Sequence, residues 1–501
     1  MGLFDDNFKK TDEYGEVIEI THPIVTIVGL PNVKVNEMVV FDNDQIGEVR
    51  SIKRDTVSIL IYSKIPAKVG QKVTRLNEVM QLNLTQDLLG KVVDAKGNVI
   101  SGIVGDKNVK TELKQDLKIQ IDKLPPSMDL RLATSGQLLT GVSLIDLLIP
   151  IGVGQRELVV GDRKTGKTSF LLSILKNQVE AGQVVIYVSI GSNISETKII
   201  QNFIDKHKLA EKIVFVMTSS DSSHGDVLIS PYTGMTIAEY YKSLGREVVL
   251  ILDNLSTHAM YYREVSILSK RFPGRDSYPG DIFYFHARLL ERAGSFMSKG
   301  NNKGSITCFP VAQTVQNDLS DYIVSNLISI TDGHILFDAN EFAKGKRPAI
   351  NIALSVTRLG RQTQSLLLQD INRQLSSFLT VKYEKSLQLS HFGSELTNEV
   401  QRDLEVGSSL NAFFNQDIGS VVVLTPVLVF FGMIWLDMFV GAGSTNIVVF
   451  RDILAKNYRD DKDVQIKLDK MVDVKTFKEL LVQIIVQKED LLKICKAKQP
   501  L

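Results

Sequence analysis

Gly161-Asp162-Arg163-Lys164-Thr165-Gly166-Lys167-Thr168, followed by Ser169, fits the phosphate-loop pattern G-x-x-x-x-G-K-[ST]. In front of it, Arg156-Glu157-Leu158-Val159-Val160 predicts a short buried strand. Behind it, Ser169-Phe170-Leu171-Leu172-Ser173-Ile174-Leu175 predicts the start of a helix. Strand, loop and helix in that order are the context the motif requires. Glycines let backbone N–H groups curl around phosphate oxygens, and the helix N-terminus adds positive dipole. Lys167 is placed to reach the β- and γ-phosphates, and the Thr168 hydroxyl to ligate Mg²⁺. An ordinary glycine-rich turn is the competing reading. The motif implies a nucleoside triphosphate site, which leaves open whether that nucleotide is hydrolysed there.

Val248-Val249-Leu250-Ile251-Leu252-Asp253 is an apolar strand ending in a carboxylate, the form in which a second motif holds Mg²⁺ or its water. Without the loop upstream, a simple helix-capping Asp is the alternative. Hydrolysis also needs a residue that positions the attacking water, often Glu or Gln just past a neighbouring strand. After the strand Val184–Ile190 the chain reads Gly191-Ser192-Asn193-Ile194-Ser195-Glu196. Ser192 is no strong base, and Glu196 falls on the following helix, a turn too far. Arg358, in Ser355-Val356-Thr357-Arg358-Leu359-Gly360-Arg361, follows an apolar strand that could hold a planar guanidinium rigidly. The pattern alone leaves a surface ion pair as the alternative.

Around these motifs the 501 residues carry 44% hydrophobic and 23% charged side chains and a net charge of +1. That balance is ordinary for a globular protein and gives no general reason to expect nucleic acid or anionic membrane as a partner. Two cysteines, Cys308 and Cys495, indicate a reducing compartment. Met1–Lys10 has no apolar core of the signal-peptide kind, so the expected location is cytoplasmic. Val421–Val440 is apolar enough to imitate a membrane span, but Pro426 and Asp437 inside it favour a buried bundle helix.

Three regions are expected. Residues 1–78 hold short strands (Val17–Ile20, Ile24–Val28, Met38–Phe41, Ile46–Ile52, Val57–Ile61) that read as a small β-barrel. Residues 79–365 alternate strands and helices, an α/β domain with a mostly parallel sheet built on the phosphate loop. Its expected strands are Glu157–Val160, Val184–Ile190, Ile213–Met217, Val248–Leu252, Ile306–Val311 and Ile350–Val356. Residues 366–501 read as a helical bundle with helices over Leu367–Glu384, Glu399–Phe414, Pro426–Met438 and Val474–Lys498.

With these residues in view, the chain resembles the α-subunit of F-type ATP synthases over nearly its whole length. The resemblance is carried by Gly154-Gln155-Arg156-Glu157 running into Gly161–Ser169, and by Ile251-Leu252-Asp253-Asn254-Leu255. It continues in Arg271-Phe272-Pro273-Gly274-Arg275-Asp276 and on to Arg292-Ala293, in Ser329-Ile330-Thr331-Asp332-Gly333, and in Gly345-Lys346-Arg347-Pro348 through to Arg358. It is to α rather than to the catalytic β: the β-type water-positioning Glu is absent, and His391-Phe392-Gly393-Ser394-Glu395-Leu396 stands where β carries an acidic lever. The resemblance implies a hexamer of three such chains alternating with three β-like chains around a coiled-coil shaft. Arg358 would then reach the neighbouring β site as an arginine finger. The chain's own site would hold Mg-ATP (or ADP) without turning it over, with Arg163, Lys164, Phe342, Arg347, Pro348 and Gln416 joining Lys167, Thr168 and Asp253. Contact with a membrane would run through other subunits, on the cytoplasmic side.

The chain departs from the family pattern at Lys164 and Ser192, each in place of Gln, at Gln313 in place of Glu, and at Asp417 and Ile418. Only about ten polar residues precede the barrel. These departures fit a divergent paralogue. Related assemblies in wall-less bacteria drive gliding motility or other surface machinery, so the resemblance also admits a specialised motor. The alternative reading is a self-sufficient homohexameric ATPase of the export or translocase type. It would need a base near Ser192, and a translocase would want basic, aromatic-studded pore loops.

Overall fold

The computed structural model describes residues 2–103, 112–134, 136–297, 303–391 and 397–496. The chain divides into two compact units. The first is built from Met1–Leu132, Gly182–Gln313 and Leu319–Thr331; the second from Ala133–Ala181, Thr314–Asp318 and Asp332–Leu501.

The first unit opens with a closed barrel of Gly15–Thr21, Ile24–Gly29, Glu37–Phe41, Ile46–Ile52, Val57–Ile61 and Lys72–Val79. The alternation legible in the sequence turns Val25, Ile27, Val39, Phe41, Ile59, Ile61 and Val73 inward, all fully buried. Each such side chain stabilises the barrel by about 1.5–3 kcal/mol. The closing strand Lys72–Val79 was not among the expected five. Ahead of the barrel, the polar stretch forms a helix, Leu3–Thr11, with Asp5 and Asp6 in its first turn and Lys9 and Lys10 in its last, complementing its dipole.

The same unit carries a mostly parallel sheet. Val184–Ser192 lies between Ile213–Ser219 and Glu247–Asp253, and Glu247–Asp253 pairs on with Lys303–Gln313, all parallel. Lys91–Val93 adds to Ile213–Ser219 in parallel, and Gly294–Met297 pairs antiparallel with Lys303–Gln313. Cys308 is fully buried in that last strand.

In the second unit Glu157–Gly161 pairs in parallel with Gly333–Phe337, which pairs antiparallel with Val356–Thr357. The expected parallel strand Ile350–Val356 does not form. Asn351 instead folds the segment into a turn: its Oδ1 accepts from Leu354 N–H (3.1 Å) and its Nδ2 donates to Asp338 (2.9 Å). The strand that does form, Gly333–Phe337, is buried throughout.

Helices complete this unit. Leu366–Ser377, Asn398–Phe414 and Leu424–Trp435 follow the expected positions closely. Ser444–Asp460 and Lys462–Val472 are additional. The expected single helix Val474–Lys498 is two, Phe477–Val486 and Lys488–Lys496. The apolar run proves to be a buried bundle helix, with Phe431 stacked on Phe477 (5.2 Å) and Phe430 on Phe439 (4.9 Å). Among the described residues, no helix is long and apolar enough to cross a membrane. Of the α-like segment His391–Leu396, residues 392–396 lie outside the described residues.

Candidate functional site

The buried strand Glu157–Gly161 delivers the chain into the loop, and the helix Lys167–Glu180 leaves it. Gly166 makes this turn at φ 101°, a left-handed conformation that disfavours a side chain although space for one is open. Lys164 also takes positive φ, 63°. Gly166 offers no side-chain cap, so the helix start presents its backbone N–H groups to a ligand. The loop is braced from inside. Thr165 Oγ1 donates to Asp162 O (2.8 Å), and the Asp162 carboxylate accepts from Thr314 Oγ1 (2.6 Å) and Asn317 N–H (3.0 Å). Lys167 Nζ donates to the carbonyls of Gly161 and Asp162, each at 2.6 Å. These bonds hold the ammonium across the loop's mouth.

In front of the loop lies a cleft of about 520 Å³, within the size range of small-molecule sites. Lys164, Thr165, Gly166, Lys167, Thr168 and Ser169 line one end; Phe342, Arg347, Pro348, Gln416 and Ile418 line the other. Asp162 and Arg163 belong to the loop but do not line the cleft, and the Asp162 carboxylate serves the bracing just described.

The far end is fixed with equal care. Gln416 bridges two segments: its Oε1 accepts from Ser143 N–H (2.7 Å), its Nε2 donates to Gly141 O (3.1 Å), and its backbone N–H donates to Arg347 O (2.8 Å). The Arg347 guanidinium lies 3.6 Å from the centre of the Phe342 ring and donates to Phe342 O (3.0 Å) and Lys346 O (2.7 Å). Arg451, buried, donates to Phe413 O and Asn415 O, both at 2.6 Å, and so anchors the turn that carries Gln416. Lys176 does the same for Gly419 O (2.9 Å). Under Gly141, the buried Asp146 accepts from Thr140 N–H (2.8 Å), Thr140 Oγ1 (2.7 Å) and Gly141 N–H (3.1 Å). Burial still pushes its carboxyl up to about 7, against the pull of those donors. The cleft thus joins cationic donors at one end to a flat, partly apolar wall at the other, which suits a ligand with phosphates and an aromatic base.

In the first unit, Asp253 ends its strand, and Tyr187 Oη donates to Asp253 Oδ2 (2.6 Å). Burial, then the neighbouring Asp253 charge, pushes the Tyr187 hydroxyl well up, so it remains a donor that fixes the carboxylate. Ser192 ends the adjacent strand, and Glu196 stands exposed in the first turn of the helix Ile194–Lys206. Gln313 ends its own strand, its N–H donating to Ser256 Oγ (3.0 Å).

Arg358 is exposed directly after Val356–Thr357, and its backbone N–H donates to Asp332 O (3.0 Å). Asp332 in turn takes Arg156 in two side-chain bonds (3.0 and 2.7 Å) and its N–H (2.9 Å). Several residues of this scaffold were not singled out from sequence: Tyr187, Thr314, Asn317, Asp146 and Arg451. Their only signal is spatial. All but Asp146, which holds Thr140 and Gly141 just ahead of it, are distant in the chain from the group they hold.

Residues 141–357 match the model of the ATP synthase alpha/beta family, nucleotide-binding domain. ATP synthase subunit alpha of Carsonella ruddii is 34% identical over 435 residues, 85% of this chain and 88% of that protein. ATP synthase subunit alpha 1 of Mycoplasmopsis pulmonis is 37% identical over 410 residues, 82% of this chain and 76% of that protein. ATP synthase subunit alpha of Mycoplasma genitalium is 37% identical over 409 residues, covering 81% and 77%.

Proposed function

The chain belongs to the F-type ATP synthase α-subunit family, and from that premise we propose that it holds Mg-ATP without hydrolysing it and completes the catalytic site of a β-like neighbour. The observation that carries this is a braced loop and cleft built to grip a nucleotide; the sequence adds Ser192, a hydroxyl, where the resemblance aligns the water-positioning residue. Lys167, Thr168, Ser169 and the backbone from Lys164 to Gly166 receive the phosphates, with Gly161, Asp162 and Arg163 shaping the loop behind them. Phe342, Arg347, Pro348 and Gln416 receive the base. Thr168 in the second unit and Asp253 in the first each carry a hard oxygen of the kind that suits Mg²⁺, which neutralises phosphate charge when bound. Because Asp253 is oriented by Tyr187, its carboxylate is set before any metal arrives.

Arg358 supplies the other half. Its backbone is fixed by Asp332 while its side chain points to the surface, as a group offered across an interface must be. There a planar guanidinium stabilises charge spreading over a transferring phosphoryl group. The assembly that fits is an alternating hexamer with β-like chains around a central shaft. It lies on the cytoplasmic face, with membrane contact through other subunits. In sequence, the barrel of residues 1–78 precedes and the bundle of 366–501 follows the proposed nucleotide region 79–365. The departures at Lys164, Ser192, Gln313, Asp417 and Ile418 support a specialised motor, in motility or surface machinery, over a standard proton-driven synthase.

The test is direct. The purified chain alone should bind Mg-ATP and show negligible turnover. Robust hydrolysis by the monomer would overturn the proposal in favour of a self-sufficient ATPase.

A further inference from the structure

Behind Arg358 lies a buried row of side chains with no assigned role. In the paired strands, Glu157 sits beside Gly333, and Gly333 beside Thr357. Glu157 and Gln155 are both fully buried. Gln155 Nε2 donates to Glu157 Oε2 (2.7 Å) and to Thr357 Oγ1 (3.2 Å), while its Oε1 accepts from Gly152 N–H (2.8 Å). Thr357 Oγ1 donates to Pro150 O (2.8 Å) and accepts from Gly360 N–H (3.1 Å). Thr357, directly before Arg358, and Gly360, two residues after it, are therefore tied into one network.

Gly333 is what lets the carboxyl reach in. A Cβ there would lie 2.5 Å from Glu157 Oε2 and 2.4 Å from Val356 O, so any side chain would expel Glu157 or displace the strand carrying Arg358. Among the described residues Glu157 Oε1 is buried with no hydrogen-bond partner, a costly arrangement for a group that only fills space. The carboxyl and the Arg358 guanidinium act on each other electrostatically, as do Glu157 and Asp332. Burial first, then Asp332, pushes the Glu157 carboxyl well above the usual range, against the Gln155 hydrogen bond and Arg358. The same carboxyl thus lies among the groups that shape the arginine's surroundings.

We propose that Glu157, held by Gln155 across the gap left by Gly333, is a positioning residue that sets the strand end and side-chain direction of Arg358. The inference rests on the finger assignment above. It places a control point for the neighbour's chemistry in this chain's core, away from its own nucleotide cleft.

The test is a mutant cycle in the assembled complex. Glu157→Ala should lower kcat about 10- to 100-fold, the scale of a small misplacement of a catalytic group. KM and nucleotide retention on this chain's loop should not move. Glu157→Gln, which keeps the side chain's shape and its place beside Gln155, should restore kcat to near the wild-type value. In an Arg358→Ala background, Glu157→Ala should cost nothing further, because the two act as one unit. Equal losses in both backgrounds, or a Glu157→Gln variant as slow as Glu157→Ala, would overturn the inference. If Glu157→Ala does not assemble, Thr357→Val removes one tie of the network and should also lower kcat; unchanged kcat would count against the proposal. An inactive Arg358→Ala beside an unimpaired Glu157→Ala sinks this inference alone. Near-normal turnover by Arg358→Ala sinks the finger assignment and this inference with it.

Discussion

Lys167 and Arg358 are cations of the same structural unit held in opposite ways. The Lys167 ammonium is folded back onto two carbonyls of its own loop, at 2.6 Å each, over a cleft walled on several sides. At Arg358 the backbone is anchored by Asp332 and by the bonds of Thr357, and the residue is exposed. A cation meant for the chain's own ligand is tied back onto its own loop. One meant for a neighbour stands exposed on an anchored strand end. The contrast shows how one unit can grip a nucleotide and serve a different one.

The comparison can be broken at several points. Arg358→Ala should lower turnover of the assembled complex by about 10³-fold or more. Its melting temperature and its loop-bound nucleotide should stay as in the wild type, since changes to exposed side chains are usually within about 0.5 kcal/mol. A third arginine calibrates this. Arg292, fully buried, pairs with Glu239 (3.0 and 2.8 Å) and donates to Ile121 O (2.8 Å) and Thr236 Oγ1 (2.9 Å). Arg292→Ala leaves the buried Glu239 carboxylate with Lys123 (2.7 Å) as its remaining ion-pair partner and strips a donor from Ile121 O, and should cost about 3–5 kcal/mol in denaturant unfolding. If both arginine variants destabilise alike, Arg358 is structural. Lys167→Ala removes a charged donor worth about 1.5–3 kcal/mol, so ATP binding to this chain should weaken about 10- to 100-fold. Turnover by the complex should fall far less than in Arg358→Ala. The smallest effect concerns pH. Asp146 has a folded pKa raised to about 7 from 3.8. Its contribution to stability is therefore full below about pH 4 and is lost as pH rises through 7. In urea unfolding, Asp146→Asn should flatten that fall between these values; an unchanged profile would contradict the assignment.

The loop was legible because its chemistry is local: glycines, Lys167 and Thr168 are contiguous, and the flanking apolar runs announce a strand and a helix. The barrel strands were legible for the same reason, with period-two alternation in short segments. The segment Ile350–Val356 misled because its apolar residues alternate like a strand while Asn351 diverts the backbone into a turn. Leu354 and Val356 end up exposed. The helices Ser444–Asp460 and Lys462–Val472 were hidden because their buried positions, such as Ile447, Leu454 and Leu468, are scattered among charges. The base-side residues Phe342, Arg347 and Gln416 carry no local signal; only family resemblance pointed to them. The partners that fix the site, such as Tyr187 on Asp253 and Arg451 behind Gln416, depend on packing that no sequence window contains.

The central claim is that the nucleotide on this chain stays put while chemistry proceeds next door. It is tested most directly by a pulse–chase. The assembled complex is loaded with labelled ATP, chased with unlabelled ATP during many turnovers, and the label on this chain is followed. The account predicts that the label remains there as intact ATP, exchanging far more slowly than turnover, and that Lys167→Ala abolishes its retention. Label converted to ADP or exchanged at the turnover rate would show that this chain is itself a catalytic subunit.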